Sequence, residues 1–283
     1  MGSLDTYPLS SDCAIPPMNS ASSRLTLSFL SKSSRLVSCG GNNSTQSCVS
    51  YEQGASSWKT FATMAKNRTG HSDWVFIDNE GEEKILLMGG EQSSKSTEVA
   101  QGQFGTDFHL SFNGAGSCAI CLRSIVVLTG GFRRTHRLRA GGHKKVVSYT
   151  STGARAMLPS LRTPRFYHAC SWFITGGAVV YLVTGGTSDG QIFLKSTEIL
   201  LPSATTWDFA KPLPHPLAGA AVALMEEERP ILTGGDLGGG EFSDKVLEYR
   251  YERDEWKEVG KMLVPRAYHG IAVVPYNSDV CKV

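Results

Sequence analysis

Two short motifs have the spacing of reactive sites. Residues Gly186 to Gly190 spell Gly-x-Ser-x-Gly, in which Ser188 would be a nucleophile on a sharp turn between a strand and a helix. A strand-like segment follows the motif instead of a helix, so we predict no nucleophile there. Cys118 and Cys121 have the Cys-x-x-Cys spacing, but structural zinc needs two more ligands at suitable spacing. We therefore expect packed strand cysteines, and neither a catalytic residue, a cofactor nor a metal.

Arginine and histidine recur together in an Arg-x-x-His turn. The turn occurs three times, at Arg68/His71, Arg165/His168 and Arg266/His269. Recurrence indicates equivalent positions in a repeated unit. We therefore interpret these histidines first as structural residues of the repeat, and only second as metal or substrate ligands. A central channel could still gather side chains from distant segments into a metal or acid–base site, and that alternative stays open.

Residues 132–145 form a strongly basic segment without an acidic residue. Its six cationic side chains are Arg133, Arg134, Arg137, Arg139, Lys144 and Lys145. They give a local positive field that the net charge of +2 conceals. Such a segment could bind an acidic protein, an anionic surface or nucleic acid. The alternative is a disordered, solvated insertion.

The elements that must position these residues follow from an internal repeat. A double glycine closes a short apolar run five times, and its first members are Gly40, Gly89, Gly130, Gly185 and Gly234. The spacings of 49, 41, 55 and 49 residues indicate one supersecondary unit for every fifty residues or so. The apolar run before each doublet reads as a buried strand.

What surrounds each doublet also repeats in a fixed order. A second strand ends in tyrosine, as at Tyr51, Tyr149 and Tyr249, and a tryptophan marks a third strand at Trp58, Trp207 and Trp256. A Met/Leu-Pro segment and the Arg-x-x-His turn come next, before a fourth apolar strand. This order resembles the kelch repeat over nearly the whole chain, and the resemblance implies blades of four antiparallel strands. The tryptophans and glycines are then core architecture.

We therefore predict an all-β fold, a six-bladed kelch-type β-propeller formed by residues 1–283 as a single domain. The blades are expected at about 24–64, 67–110, 116–158, 165–210, 216–260, and 266–283 plus 1–18. The N- and C-terminal strands are expected to close the sixth blade, which would leave no open sheet edge. No BTB-like helical domain precedes residue 4, so we expect a kelch-like protein without BTB or BACK domains.

Strand order predicts which loops share a face. If the strands are named a to d from the axis outward, the b–c and d–a loops emerge at the same end. The side chains that we expect to bind a partner there are Arg24, Arg68, Arg133, Arg134, Arg137, Arg139, Arg165 and Arg266. Guanidinium groups present a fixed fork of donors that suits carboxylates. We predict a protein-interaction module or adaptor that binds an acidic peptide or loop on this face.

Two other functions stay open. Relatives of the repeat include copper oxidases and sugar mutarotases, so the resemblance allows an enzyme centred on the channel. The basic segment allows binding to a polyanion or nucleic acid, whose affinity would fall steeply with salt. We expect a protein or peptide partner and not nucleic acid.

Composition bounds the remaining expectations. Hydrophobic residues make up 41% of the chain, and no apolar stretch approaches the length that spans a bilayer. We expect a monomeric domain in the cytoplasm. Seven cysteines are an odd number, so a fully paired disulfide framework is not expected. Cys39 and Cys48 flank a turn and could bridge, but buried free thiols are the simpler expectation.

Overall fold

The computed structural model describes residues 15–16, 18, 22–43, 46–100, 108–122, 124–134, 140–225 and 229–275. These residues form antiparallel sheets arranged around a central channel, as in a β-propeller. The first strand of each sheet lines the channel, so the sheets are blades that radiate from it. Among the described residues, no helix has the length and hydrophobicity needed to cross a membrane.

Five blades are formed in the described part of the chain. Their strands are β1 (Thr26–Leu30), β2 (Arg35–Cys39), β3 (Ser47–Glu52) and β4 (Lys59–Thr63) in blade 1; β5 (Ser72–Ile77), β6 (Glu83–Met88) and β7 (Thr97–Ala100) in blade 2; β8 (Cys118–Cys121), β9 (Ile125–Thr129), β12 (Val146–Thr150) and β13 (Arg155–Met157) in blade 3; β14 (Ala169–Thr175), β15 (Ala178–Thr184), β16 (Thr197–Leu200) and β17 (Asp208–Ala210) in blade 4; and β18 (Ala221–Met225), β19 (Arg229–Thr233), β22 (Lys245–Arg250) and β23 (Glu255–Lys261) in blade 5.

Each blade is a simple meander in which neighbours in sequence pair antiparallel. Two b–c loops carry a small hairpin of their own: β10 (Phe132–Arg134) pairs with β11 (Ala140–Gly142) in blade 3, and β20 (Asp236–Gly238) pairs with β21 (Glu241–Phe242) in blade 5. Because both hairpins lie in b–c loops, they project from the same end of the propeller. A short 3₁₀ turn, Tyr251–Arg253, joins β22 to β23.

The prediction of six blades is corrected to five. Residues 264–275 run beside the channel, where Ile271 and Val273 line it, but they form no ladder in the structure as described. A ladder needs a neighbouring strand to satisfy its backbone groups. The strands predicted to supply it, within residues 1–14 and 276–283, lie outside the described residues. The expected sixth blade of terminal strands is therefore absent from the described fold, while the all-β propeller class is confirmed.

Six equivalent turns nevertheless connect the sectors around the channel. The residue that precedes each inner segment donates its backbone N–H to the carbonyl of its counterpart in the sector before it. The N···O pairs are Arg24–Tyr268, Gly70–Arg24, Gly116–Gly70, Tyr167–Gly116, Gly219–Tyr167 and Tyr268–Gly219. Their distances lie between 2.6 and 2.9 Å, so the bonds form a closed ring. Tyr268, which precedes Gly270–Val273, closes it.

The double glycines lie where neighbouring sectors meet. Gly40 has φ +68°, and a Cβ placed there would be 2.5 Å from the carbonyl oxygen of Arg68. Gly185 has φ +65° and would bring a Cβ to 2.7 Å from the Leu217 carbonyl oxygen. Only glycine combines a left-handed backbone with so close an approach. The doublet thus ends the second strand of a blade directly against the next sector.

The repeated tryptophans tie blades 1, 4 and 5 each to the sector before it. Trp207 is fully buried, and its indole N–H donates to the Pro159 carbonyl at 2.7 Å. Trp256 donates to the Lys211 carbonyl at 3.0 Å, and Trp58 to that of Pro16 at 2.9 Å. Burial of each indole removes a large apolar surface from water while its one polar atom keeps a partner.

Two disulfides correct the expectation of free thiols. Cys39 and Cys48 are bridged across paired strands β2 and β3 of blade 1. Cys118 and Cys170 are bridged between β8 of blade 3 and β14 of blade 4, with a sequence separation of 52 residues. Among the described cysteines, Cys121 keeps a free thiol. The odd number of cysteines requires only that at least one stays unpaired. It does not decide whether the others form disulfides.

Candidate interaction surface

The b–c and d–a loops emerge at one end of the propeller, which we call the loop face. The second glycine of three doublets donates its backbone N–H to the carbonyl of the arginine that starts the next sector. These pairs are Gly41–Arg68 at 3.0 Å, Gly131–Arg165 at 2.8 Å and Gly235–Arg266 at 2.9 Å. The start of each b–c loop therefore touches the following d–a loop, and side chains of both kinds of loop share this face.

Arg68 and Arg165 do not belong to the surface of this face. Both side chains are completely inaccessible, at 0% exposure, and each forms a 2.6 Å ion pair with an equally buried glutamate, Glu98 or Glu198. A buried guanidinium cannot reach a partner, so these two predicted binding residues are corrected to framework residues. Their role is the turn-stabilising one, with backbone carbonyls as acceptors.

The two buried arginines make identical sets of hydrogen bonds. Arg165 donates from Nη1 to the carbonyls of Gly185 and Ser196, at 2.7 and 3.1 Å, and from Nη2 to Ser196 Oγ and Glu198 Oε1. Arg68 repeats the pattern with Gly89, Ser96 and Glu98. Burial lowers the pKa of both arginines, while the adjacent glutamate raises it. The guanidinium thereby connects the doublet of its own blade to the third strand.

Arg24 takes a different position from the other d–a arginines. In the ring of turns, Arg24 occupies the position that Gly70 and Tyr167 occupy in their sectors. Arg68 and Arg165 each lie two residues before that position. Arg24 Nη1 donates to Glu91 Oε1 at 2.7 Å, and the same oxygen accepts the Tyr167 hydroxyl at 2.5 Å. Arg24 is partly exposed on the loop face, but its charge is already paired.

The Arg24 guanidinium also stacks on two aromatic rings. It lies 5.0 Å from the centroid of Tyr167 and 5.2 Å from that of Tyr268, and the rings meet edge to face at 5.2 Å. We call Arg24, Glu91, Tyr167 and Tyr268 the mouth cluster, because three of them line the end of the channel at the loop face. Burial raises the pKa of Tyr167, and it raises that of Tyr268 to about 12.

Arg266 lies partly exposed at the edge of the loop face. Its Nε donates to the carbonyl of Val264 at 3.3 Å, and its own carbonyl accepts from Gly235. In blade 5 Leu247 takes the register position, opposite the second strand, that Glu198 takes in blade 4. Three arginines at one sequence position thus have two different environments.

The basic segment is partly a hairpin. Arg133 lies in β10 opposite Gly141, and Arg134 lies opposite Ala140, whereas Arg137 and Arg139 fall outside the described residues. Lys144 and Lys145 follow the hairpin and are exposed. The Gly142 N–H donates to the Ser188 carbonyl at 2.8 Å, so the hairpin lies beside the b–c loop of blade 4. Over the described part of the segment, this ladder contradicts the alternative of a disordered insertion.

Exposed apolar side chains on neighbouring b–c loops are the feature that sequence reasoning missed. Ile192 in blade 4 is 60% exposed, and Phe242 in the β20–β21 hairpin of blade 5 is 47% exposed. Leu237 in the same hairpin is also exposed. A Cβ at Gly238 would lie 3.7 Å from the Phe193 ring, so the two loops touch. We call Ile192, Phe193, Leu237 and Phe242 the apolar patch. The sequence signal for this patch was the presence of large apolar residues in glycine-rich loops, where side chains are usually exposed.

The three recurrent histidines are framework residues in the interior. The Nε2 atom of His168 is hydrogen-bonded with Thr129 Oγ1 at 2.8 Å, and that of His269 with Thr233 Oγ1 at 2.9 Å. His71 pairs with Thr26 in the same way at 3.3 Å. Burial lowers the pKa of His71 to about 3 and of His269 to about 4, and it lowers that of His168 as well. All three rings are therefore neutral at physiological pH.

Ser188, the serine of the Gly-x-Ser-x-Gly motif, lies in the b–c loop between β15 and β16. Its N–H donates to the Ile192 carbonyl, and its own carbonyl accepts from Gly142. A strand follows the motif, as expected, and the strand-to-helix turn of a nucleophile elbow is absent from this described segment.

Comparison with known proteins agrees with this architecture. No family model matches the chain. A stretch of 106 residues is 28% identical to Kelch-like protein 15 of Danio rerio, and it covers 38% of this chain and 17% of that relative. The matched stretch therefore spans less than a fifth of that protein's length. The solved structure of YjhT superimposes with a TM-score of 0.72 over 93% of this chain and 90% of that chain, at 14% identity. The radial sheets and the likeness to YjhT show a β-propeller fold, and the repeated doublets together with the likeness to Kelch-like protein 15 support a kelch-type repeat.

Proposed function

We propose that this propeller is a protein-interaction module whose loop face binds an acidic peptide segment that also carries an apolar side chain. The observation that carries the proposal is the position of the basic hairpin beside the apolar patch, joined through the hydrogen bond from Gly142 to Ser188. The likeness to a kelch-like protein supports a protein partner. Of the arginines predicted from the sequence, Arg133, Arg134, Arg137 and Arg139 stay in the proposed site.

The two surfaces would contribute differently to binding. Burial of one large apolar side chain against Ile192 and Phe242 provides roughly 1.5–3 kcal/mol. The cationic side chains of residues 132–145 attract carboxylates over a longer range, which accelerates encounter and selects for acidic sequences. Arg24 contributes less, since Glu91 already neutralises it.

Selection of random twelve-residue peptides displayed on phage tests the proposal and requires no candidate partner. We expect the enriched peptides to combine Asp or Glu with a nearby Leu, Ile or Phe. The variant Arg133→Glu/Arg134→Glu should bind a selected peptide at least about tenfold more weakly, measured by calorimetry. Phe242→Asp should weaken binding through the apolar patch.

The matched control is Arg155→Glu, because Arg155 is an exposed arginine on the outer strand β13 of blade 3. The proposal predicts native affinity for this variant. Equal loss in Arg155→Glu and in the double variant, or enrichment of peptides without acidic residues, contradicts it. Stronger binding to single-stranded DNA than to every selected peptide, with a steep salt dependence, would favour the polyanion alternative instead.

A further inference from the structure

The central channel contains a cavity that the proposed interaction surface does not use. Its volume is about 480 Å³, and it is lined by the innermost segments of all six sectors around the ring. This volume is within the range of small-molecule sites in proteins, roughly 300–1,000 Å³. The cavity could therefore enclose one small organic molecule.

At the loop face the mouth cluster covers the end of this cavity. Tyr167 lies over Gly70 and Gly116, where a Cβ would come within 3.2 and 3.1 Å of the ring. Tyr268 lies over Gly219 in the same manner. Arg24, Tyr167 and Tyr268 all have a left-handed backbone, with φ of 59°, 51° and 56°. Such strain in bulky residues is retained where the surrounding contacts determine it.

The opposite end of the cavity opens between apolar side chains. Val273 lines the cavity and is also 42% exposed, so this end is in contact with solvent. Ile77 and Ile174 are exposed near the C-terminal ends of β5 and β14, the ends farther from the loop face. The cavity is therefore covered at the loop face and accessible from the other side.

The interior of the cavity has a single acidic side chain among the described lining residues, Asp73. Residues at the same depth on the neighbouring inner segments are apolar, including Leu27, Ala119, Val222 and Ile271. The Ser28 hydroxyl donates to Asp73 Oδ2, which orients the carboxyl group. Asp73 is partly exposed and lines the channel cavity.

No cation of the described lining balances Asp73. The three lining histidines are neutral, since burial lowers their pKa, and the arginine of this lining, Arg24, is paired with Glu91. The thiol of Cys121, which donates to the Asp73 carbonyl at 3.4 Å, adds no charge because burial raises its pKa. The electrostatic character of the cavity is therefore acidic, opposite to that of the basic hairpin outside.

We propose that the channel is a binding site for a small organic cation with an apolar body, entered from the face opposite the loops, with the Asp73 carboxylate as counter-ion and the apolar lining around the body. A protonated amine attached to an aromatic or aliphatic group has this chemistry. Desolvation raises the pKa of Asp73 because the carboxylate is separated from bulk water, and a bound cation would compensate for that lost solvation.

Tryptamine tests this proposal, together with two analogues of nearly the same shape: tryptophol, which is neutral, and indole-3-propionate, which is anionic. We expect saturable one-to-one binding of tryptamine by calorimetry, and at least about tenfold weaker binding of both analogues. Asp73→Asn should lower the affinity for tryptamine by about tenfold or more and leave that for tryptophol unchanged. Asp208→Asn is the control, because Asp208 is an exposed carboxylate outside the cavity.

Ala119→Trp provides a second variant that fills the cavity and should abolish binding of tryptamine and tryptophol alike. Thermal unfolding of each variant verifies that it is folded. Equal affinities for the three compounds, unchanged binding in Asp73→Asn, or native binding in folded Ala119→Trp would each overturn the proposal. Loss of peptide binding in the same variants is not expected, so the cavity and the loop face are tested separately.

Discussion

Arg68 and Arg165 place full positive charges in the interior, where charge is expensive. The cost of desolvation is offset only when a partner and further hydrogen bonds are in place, as Glu98 and Glu198 and the adjacent carbonyls provide. Removal of one partner then leaves an unbalanced charge in a medium of low dielectric constant. Such a pair can contribute little net stability and still hold the turn in one geometry, because any other geometry would separate the two buried charges.

The variant Arg165→Leu tests this role at the residue scale. We expect it to lower the free energy of unfolding by about 3–5 kcal/mol in urea titrations, because Glu198 stays buried without its partner. Arg165→Leu/Glu198→Gln should recover part of the loss, since glutamine carries no buried charge and its amide oxygen can still accept from one of the two N–H groups, of Arg162 or Thr163, that donate to the carboxylate oxygens of Glu198.

Glu258→Gln serves as the exposed comparison, because its pair with Lys245 is solvated and worth less than about 1 kcal/mol. A cost for Arg165→Leu as small as that of this exposed variant would contradict the framework assignment. So would a double variant that is no more stable than Arg165→Leu.

The sequence contains a signal for these buried arginine–glutamate pairs. Lys-Ser-Thr-Glu occurs twice, at 95–98 and 195–198, in the two units whose Arg-x-x-His turns provide the buried arginines. The arginines alone suggested a basic rim, because a guanidinium is usually exposed. Only the position of the glutamate opposite each one decides that the charge points inward.

Among elements, the b–c loops vary most while their starting points are nearly invariant. Each begins at a glycine doublet pressed against the next sector, and then forms either a plain loop or a hairpin such as β10–β11. The scaffold therefore fixes where a loop starts and leaves its length and charge free. This division is typical of folds that carry function on their loops.

A pair of glycine variants tests the doublet at this scale. Gly40→Ala should be destabilising by well over 2 kcal/mol, because its Cβ would be 2.5 Å from the Arg68 carbonyl oxygen and 2.7 Å from the His71 ring. Gly54→Ala shares the left-handed backbone, with φ +82°, but has open space around it. It should cost only the roughly 1–2 kcal/mol of the backbone conformation. Equal losses, measured by chemical denaturation, would refute the close-approach explanation.

The whole molecule is closed by the ring of six backbone hydrogen bonds and not by a sixth sheet, as far as the described residues extend. Each bond connects one sector to the next, and Tyr268 connects the last to the first through Arg24. Closure gives every blade two neighbours, so no sector can unfold without exposing the interfaces on both sides. We expect one cooperative unfolding transition.

Closure makes the pH dependence of stability a property of the whole ring. His71, His168 and His269 have lowered pKa values in the folded chain, so below about pH 6.5 the unfolded chain takes up protons that the folded chain does not. Stability is complete above this pH and falls as the pH decreases toward 4. The slope between about pH 6 and pH 5 should reach up to about 4 kcal/mol per pH unit, roughly 1.4 for each histidine.

Urea unfolding across this range measures the slope, and His168→Gln should reduce it by roughly 1.4 kcal/mol per pH unit. The glutamine amide can take over the hydrogen bond with Thr129, which keeps the variant comparable. An unchanged slope in His168→Gln, or three separate transitions, would count against this account.

The repeat, the strand-rich units, the common end of the b–c and d–a loops and the β-propeller class could all be predicted from the order of the amino acids, because doublets and tryptophans report local backbone and packing requirements that recur at a fixed spacing. The number of formed blades, the two disulfides, the burial of Arg68 and Arg165, and the isolation of Asp73 in the channel became visible only in the folded chain. These features depend on which distant residues face each other, and such pairings arise when the blades pack around the axis.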